Sequence, residues 1–167
     1  PTVWWSSPNP MSLKPNRSTM AILVIGEFIF GLGDSLLIAA GIGNTPWTVL
    51  AEGIAITAKV WTIGEATFLV SIAVMFLWIP IKETPGIGTI LNIIIIALTI
   101  HVMVPILPQP DSYLVSILMA SSGIVLVGIG STMYLTANLG PGPRDGWMTG
   151  LQKATGVPIG RVRITIE

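Results

Sequence analysis

Two carboxylates stand inside an apolar run. Glu27 and Asp34 both fall within Met20 to Ala40, a stretch of 21 residues. An ionisable group within a membrane span is costly and has either a role or a partner. Seven residues apart, the two lie near one face of a helix. For Glu27, two chemistries are open: a proton-coupling or cation-binding carboxylate, or a neutral, hydrogen-bonded packing residue. Asp34 lies six residues from Ala40, and the packing reading is preferred there. His101 lies five residues before Ile106. A hydrogen-bonded histidine near a helix end is its first reading, and a proton relay or an axial ligand to a haem or pigment its second. Asn92, in the same run, is expected to bond across helices. Asn44, Thr45, Arg144 and Asp145 sit in two short half-polar segments and are the candidate contacts for a small polar or anionic ligand.

Other chemistries are missing. The chain has no cysteine and one histidine, so no disulfide, Cys-based metal site or multi-His metal site is expected. There is no Ser-His-Asp set with plausible spacing, no GxSxG, no HExxH and no P-loop. The expectation is a protein without cofactor or metal that is not an enzyme. Net charge is zero, which gives no pull toward nucleic acid.

The elements that must hold these residues are membrane helices. Of 167 residues, 51% are hydrophobic and 10% charged, with mean hydropathy +0.80. Soluble domains carry about 25% charged residues. Residues 1–19 hold four prolines and Trp4-Trp5, and are expected to be an irregular interfacial segment. Spans are expected at about 20–40, 64–80, 87–106 and 113–137, with short helices at 46–58 and 143–155. A fifth span should begin at 160 and be cut off at Glu167. Thr45-Pro46 reads as a helix start, with Thr capping and Pro at the first position. A helix from Trp47 to Ala58 rises only ~18 Å, too short to cross.

The backbone-setting residues repeat at an offset of 97. Gly26 falls on Gly123, Gly33 on Gly130, Gly43 on Gly140, Pro46 on Pro143, Gly53 on Gly150 and Val60 on Val157; Gly142 belongs to the same glycine-proline segment. Glycine and proline fix backbone shape, so a backbone shape is what repeats. The fold class expected is all-α: a polytopic transmembrane bundle, an inverted repeat of three spans plus one short interfacial or re-entrant helix per half. The first half is 20–110 and the second, truncated, 111–167. Three spans between equivalent points put the second half in the opposite orientation. Lys14, Arg17, Lys82, Arg144, Lys153, Arg161 and Arg163 then share one side and only Lys59 lies on the other, which by the positive-inside rule gives a cytoplasmic N-terminus. Gly53 and Gly150 are expected to face other helices. The Gly-Pro turns have two readings: helix N-termini aimed at a central cavity, or connectors of helices lying in the headgroup layer.

Several motifs carry a family resemblance. Gly31-Leu32-Gly33, Gly41-Ile42-Gly43 with Pro46-Trp47, Pro85-Gly86-Ile87-Gly88-Thr89, and above all Leu139-Gly140-Pro141-Gly142-Pro143-Arg144-Asp145-Gly146 resemble the bacterial YczE-type membrane proteins, grouped with the YitT-like proteins. The resemblance runs from about residue 20 to the end. It implies a multi-pass bacterial inner-membrane protein that continues past Glu167, of a group described as transporters, and assigns no role to Glu27 or Asp34. The expected function is transport of a small polar or anionic solute. The rival is a non-catalytic accessory subunit of a larger membrane complex. Lipid is the expected partner, with other membrane subunits or a second copy of the chain beside it.

Overall fold

In a computed structural model the described residues, 3–59 and 61–166, fold into eight helices and no strand. Pro1, Thr2, Val60 and Glu167 lie outside the described residues, and with Val60 one member of the repeat. The helices are α1 (Arg17–Ala40), α2 (Pro46–Ala58), α3 (Ile63–Phe76), α4 (Trp78–Ile81), α5 (Ile87–Met103), α6 (Tyr113–Ala137), α7 (Pro143–Thr155) and α8 (Ile159–Ile166). Three stretches are long and apolar enough to cross a membrane: Arg17–Ala40, Ile63–Ile81 and Tyr113–Ala137.

The core of the bundle is the antiparallel pair α1 and α6. A Cβ placed on Gly130 would fall 2.6 Å from the carbonyl oxygen of Gly26, and one on Gly33 would fall 2.7 Å from the carbonyl oxygen of Gly123. The helices therefore touch backbone to backbone. In lipid there is no hydrophobic drive between apolar helices, so close packing and polar contacts must hold them. Removing the side chains at the crossing lets dispersion contacts and weak Cα–H···O bonds form along it.

α5 lies beside α1 and runs parallel to it. Leu23 packs with Ile87 and Leu91 near the starts of both helices, and Gly31 meets Thr99 farther along. α3 is antiparallel to α5, because Gly64 meets Ala97 and His101. α2 folds against α3 through Ala51, Ala55, Ala66 and Val70, all buried. The N-terminal segment is tied to the end of α6: the Ser7 amide donates to the Ala137 carbonyl at 2.9 Å, and Trp5 Nε1 donates to Thr136 Oγ1 at 3.1 Å.

Prolines adjust two of the expected spans. α3 stops at Phe76, and Leu77 bonds to Val74 instead of continuing the ladder. Pro80 has no N–H to give to Phe76, so the helix restarts as the short α4. α5 ends at Met103 rather than near Ile106, because Pro105 has no N–H for His101. Its 17 residues rise ~26 Å, just short of the ~30 Å hydrocarbon thickness.

The paired glycines of the short helices do not behave alike. A Cβ on Gly150 would meet Ile81 Cδ1 at 2.5 Å, whereas nothing lies within 4 Å of one on Gly53. Gly53 is exposed on the outer face of α2, beside Leu50 and Thr57. The expected contact at Gly53 is absent because α2 turns its alanines, not its glycine, toward α3. Bulk should therefore be tolerated unevenly. Gly33→Leu and Gly150→Leu should lower thermal stability in detergent by at least ~1–3 kcal/mol, the usual cost of overpacking. Gly53→Leu and Gly128→Leu, both in open space, should change it by under ~1 kcal/mol.

Candidate functional site

The segments that follow α1 and α6 both turn back along the bundle. After Ala40, residues 41–45 return far enough for Thr48 Oγ1 to reach Asp34 Oδ2 at 3.4 Å, six residues before the end of α1. Six helical residues are a depth of ~9 Å. After Ala137, residues 138–142 run as non-helical chain beside the start of α5, with Asn138 in the left-handed conformation. Gly43 and Gly140 have φ of +152° and +108°, which residues with a side chain rarely adopt.

Non-helical backbone at membrane depth survives only if its polar groups are satisfied. Three carbonyls along this stretch have partners from other elements. The Leu139 carbonyl accepts from the Gly88 amide at 2.8 Å, the Pro141 carbonyl from Thr89 Oγ1 at 2.7 Å, and the Pro143 carbonyl from Trp78 Nε1 at 2.9 Å. Gly88 is in the first turn of α5, where amides have no partner within the helix. Thr89 Oγ1 also accepts from the Gly86 amide at 3.2 Å. A Cβ on Gly86 would overlap the Leu139 carbonyl, and one on Gly146 the Trp78 ring. The Pro85–Thr89 and Leu139–Gly146 motifs are thus two halves of one contact.

The N-terminal turns of α2 and α7 meet. The Arg144 guanidinium sits 5.8 Å from the Trp47 ring centroid, a cation–π distance, and Trp47 packs edge-on against Trp147 at 6.1 Å. Trp47 and Arg144 follow Pro46 and Pro143 and are equivalent at the 97-residue offset. The next pair, Thr48 and Asp145, each tie their helix to the long helix before it. Thr48 donates to Asp34 on α1, and Asp145 accepts from the Tyr134 hydroxyl on α6.

A cavity of about 230 Å³ opens at this junction. Its wall includes Thr45, Trp47, Asn92, Tyr134, Arg144, Asp145 and Arg163. Asn92 is 7% exposed, and its Nδ2 has no partner among the described residues. The arrangement offers a guanidinium, an amide donor, a carboxylate and two aromatic walls to a small polar molecule. Two wider apolar grooves, between α3 and α5 and along α2, open on the outer surface, where lipid would lie.

The site residues named from sequence divide. Thr45, Arg144 and Asp145 line the cavity together, with Gly142 and Pro143 beside them. Asn44 does not: its Nδ2 donates to Glu52 Oε2 at 2.8 Å, on α2. Glu27 and Asp34 are both fully buried, and neither carboxyl oxygen of Glu27 has a partner among the described residues. His101 stands exposed at the far end of α5, bonded to Thr62 Oγ1 at 2.9 Å. Tyr134, Thr48 and Trp78 were not singled out by sequence, and Trp47 appeared only in a motif and at a helix start, not as a site residue. Trp47 had one usable signal, its alignment with Arg144. Among the described residues no cluster of three or more His, Cys, Asp or Glu could hold a metal.

Apolar helices of spanning length, packed through glycine and surrounding a polar junction, define a multi-pass integral membrane protein. The chain matches a family of unknown function, DUF6198, over residues 17–167. It belongs to that family and is of the YczE type. It is 44% identical over 149 residues to an uncharacterized protein of Haemophilus influenzae, covering 89% of this chain and 68% of that one. It is 33% identical over 147 residues to the uncharacterized membrane protein YczE of Bacillus subtilis, covering 85% of this chain and 66% of that one. The chain thus spans about two thirds of each relative's length. No solved structure matches it.

The motif contact can be tested at Thr89, which is fully buried. Thr89→Val keeps the shape and removes both hydrogen bonds. It should cost ~1–3 kcal/mol, because the Pro141 carbonyl is left unsatisfied, read as a lower midpoint of thermal unfolding in detergent. Thr89→Ser should retain most of the stability.

Proposed function

We propose that this protein is a transporter of a small polar or anionic solute, not an enzyme, and that the solute binds in the cavity between the first turns of α2 and α7. The observation that carries the reading is Arg144 stacked on Trp47 in the wall of a largely apolar cavity that also presents Asn92 and Asp145. Short helices that start within the bundle, with N–H groups and positive dipole ends toward a shared site, are a pattern of secondary transporters. Arg144 and the Asn92 amide would hold an anionic group, and Tyr134 and Trp47 would exclude water from it.

The reading includes an inverted repeat. It is supported by the antiparallel α1–α6 pair, which crosses on the equivalent glycines 26/123 and 33/130. It is supported also by the two tethers, Thr48 to Asp34 and Asp145 to Tyr134, made from the same position of each short helix. The basic residues favour a bacterial inner-membrane protein with its N-terminus in the cytoplasm. A second reading, an accessory subunit of a larger membrane complex, is favoured by the open groove of about 450 Å³ lined by Trp61, Phe68, Leu69 and Leu98.

Fluorescence separates the two. In lipid nanodiscs, titration of the full-length protein with formate, acetate or phosphate should change a tryptophan emission that Trp47→Phe removes, while glycerol should not. Arg144→Gln should weaken that response at least tenfold, or ~1.4 kcal/mol. No response to any of the anions, with stoichiometric co-purification of another membrane protein, would put the accessory subunit in front.

Orientation is a separate test. The chain has no native cysteine, so single replacements are clean. Ser6→Cys should react with an impermeant thiol reagent only from the cytoplasmic side, and Asp111→Cys only from the other. Labelling of both from one side would overturn the topology.

A further inference from the structure

Glu27 is buried more completely than a stabilising role requires. It is 0% exposed, and neither Oε1 nor Oε2 has a hydrogen-bond partner among the described residues. Its position on α1 is set by its neighbours. Leu23, one turn earlier, packs with Tyr134, Leu91 and Ile87, and Gly31, one turn later, meets Thr99 on α5. The preceding residue, Gly26, lies against Gly130 and Tyr134 on α6. Glu27 therefore stands between α1, α5 and α6, at the level where Asn92, Ile96 and Tyr134 form the cavity wall.

The charged and titratable groups around it are few. α6 contributes Tyr134, within electrostatic reach of Glu27. α7 contributes Asp145, bonded to that tyrosine, and Arg144 beyond it. α5 presents only neutral Asn92 and Thr99, with His101 at its far end on Thr62. α1 itself carries Asp34, two turns away and bonded to Thr48. A metal held by charged side chains would need several of them together, and among the described residues no three His, Cys, Asp or Glu cluster. A proton needs only the carboxyl.

We infer that Glu27 is the proton-binding group of the transport cycle, loaded from the cavity past the Tyr134–Asp145 pair, so that the co-transported ion is H⁺. The inference rests on the transport reading. In the step, a cavity water gives up one H⁺ to the Glu27 carboxylate and leaves hydroxide to the bulk; the return step reverses it on the other side. No other bond changes. Linkage follows from charge alone. An anion in the cavity on the far side of Tyr134 favours the neutral carboxyl, and the neutral carboxyl favours the anion by the same factor.

Infrared spectroscopy tests this without any solute. For the full-length protein in nanodiscs, the difference spectrum between about pH 5 and about pH 9 should contain a protonated-carboxyl band that Glu27→Gln deletes and Glu27→Asp keeps at a shifted frequency. Above its midpoint the band should fall about tenfold per pH unit. Tyr134→Phe should slow the deuterium shift of the band while leaving its intensity in place. If the band survives Glu27→Gln, is missing, or persists unchanged across the pH range, the inference fails and Glu27 is a fixed structural group. Failure here leaves the anion titration of the cavity untouched. Conversely, a titrating Glu27 in a protein whose tryptophans ignore every anion would overturn the transport reading instead. Should Glu27→Gln not fold, Glu27→Asp alone decides by the presence or lack of the band shift.

Discussion

The bundle depends on an absence of side chains where α1 crosses α6. Gly26 and Gly33 on one helix and Gly123 and Gly130 on the other bring backbone against backbone. In water, the hydrophobic effect would hold two such helices with larger residues between them. In lipid it contributes nothing at this interface, so the attraction must come from contact that only glycine permits. The crossing is antiparallel, which sends the chain out of the two helices at opposite ends. Each following segment then has to come back along the pair for Trp47 and Arg144 to meet. Everything at the junction inherits its position from that crossing.

The return of residues 138–142 shows how such a path is made tolerable. Extended backbone leaves its carbonyls without helical partners. The start of α5 has the opposite problem, amides with no carbonyl. Each solves the other: Gly88 gives its N–H to Leu139, while Thr89 and Trp78 satisfy Pro141 and Pro143. The approach is so close that Gly86 and Gly146 have no room for a Cβ, and Gly88 has little. Two motifs more than fifty residues apart are therefore one structural unit, and a change in either is a change in both.

Much of the helical framework was legible because its signals are local. Apolar runs, the Thr45-Pro46 cap and the Gly142-Pro143 start mark their helices without reference to partners. What was not legible depends on which face turns inward. Gly53 and Gly150 align in sequence, yet α7 buries its glycine against Ile81 and Glu83 while α2 buries Ala51 and Ala55 instead. Asn44 looked like a ligand contact, but Glu52 lies close enough to take its amide. The cavity was half legible. Thr45, Arg144 and Asp145 are in it, whereas Tyr134 sits in a run of residues that reads only as span. No local pattern marks a tyrosine that will face a carboxylate on the next helix. The breaks at Leu77 and Met103 had a local cause in Pro80 and Pro105, outweighed in the sequence reading by hydropathy, which does not register a missing N–H.

The polar groups inside the bundle are where stability and function part. A buried polar group without a partner costs ~1–3 kcal/mol, and leucine in place of glutamate would avoid that cost. Glu27 and the Asn92 amide both lack partners among the described residues, as does one oxygen of Asp34. Asn44 Oδ1 is a further one, outside the cavity, while the other three groups lie near the junction of α2 and α7. Asn92 is in the cavity wall, Asp34 holds the start of α2 through Thr48, and Glu27 lies near Tyr134, whose hydroxyl donates to Asp145 in that wall. Selection for stability alone would favour an apolar residue in place of Glu27. Glu27, Asn92 and Asp34 are the reason to place the proposed site at the junction of α2 and α7 rather than in the larger apolar grooves outside.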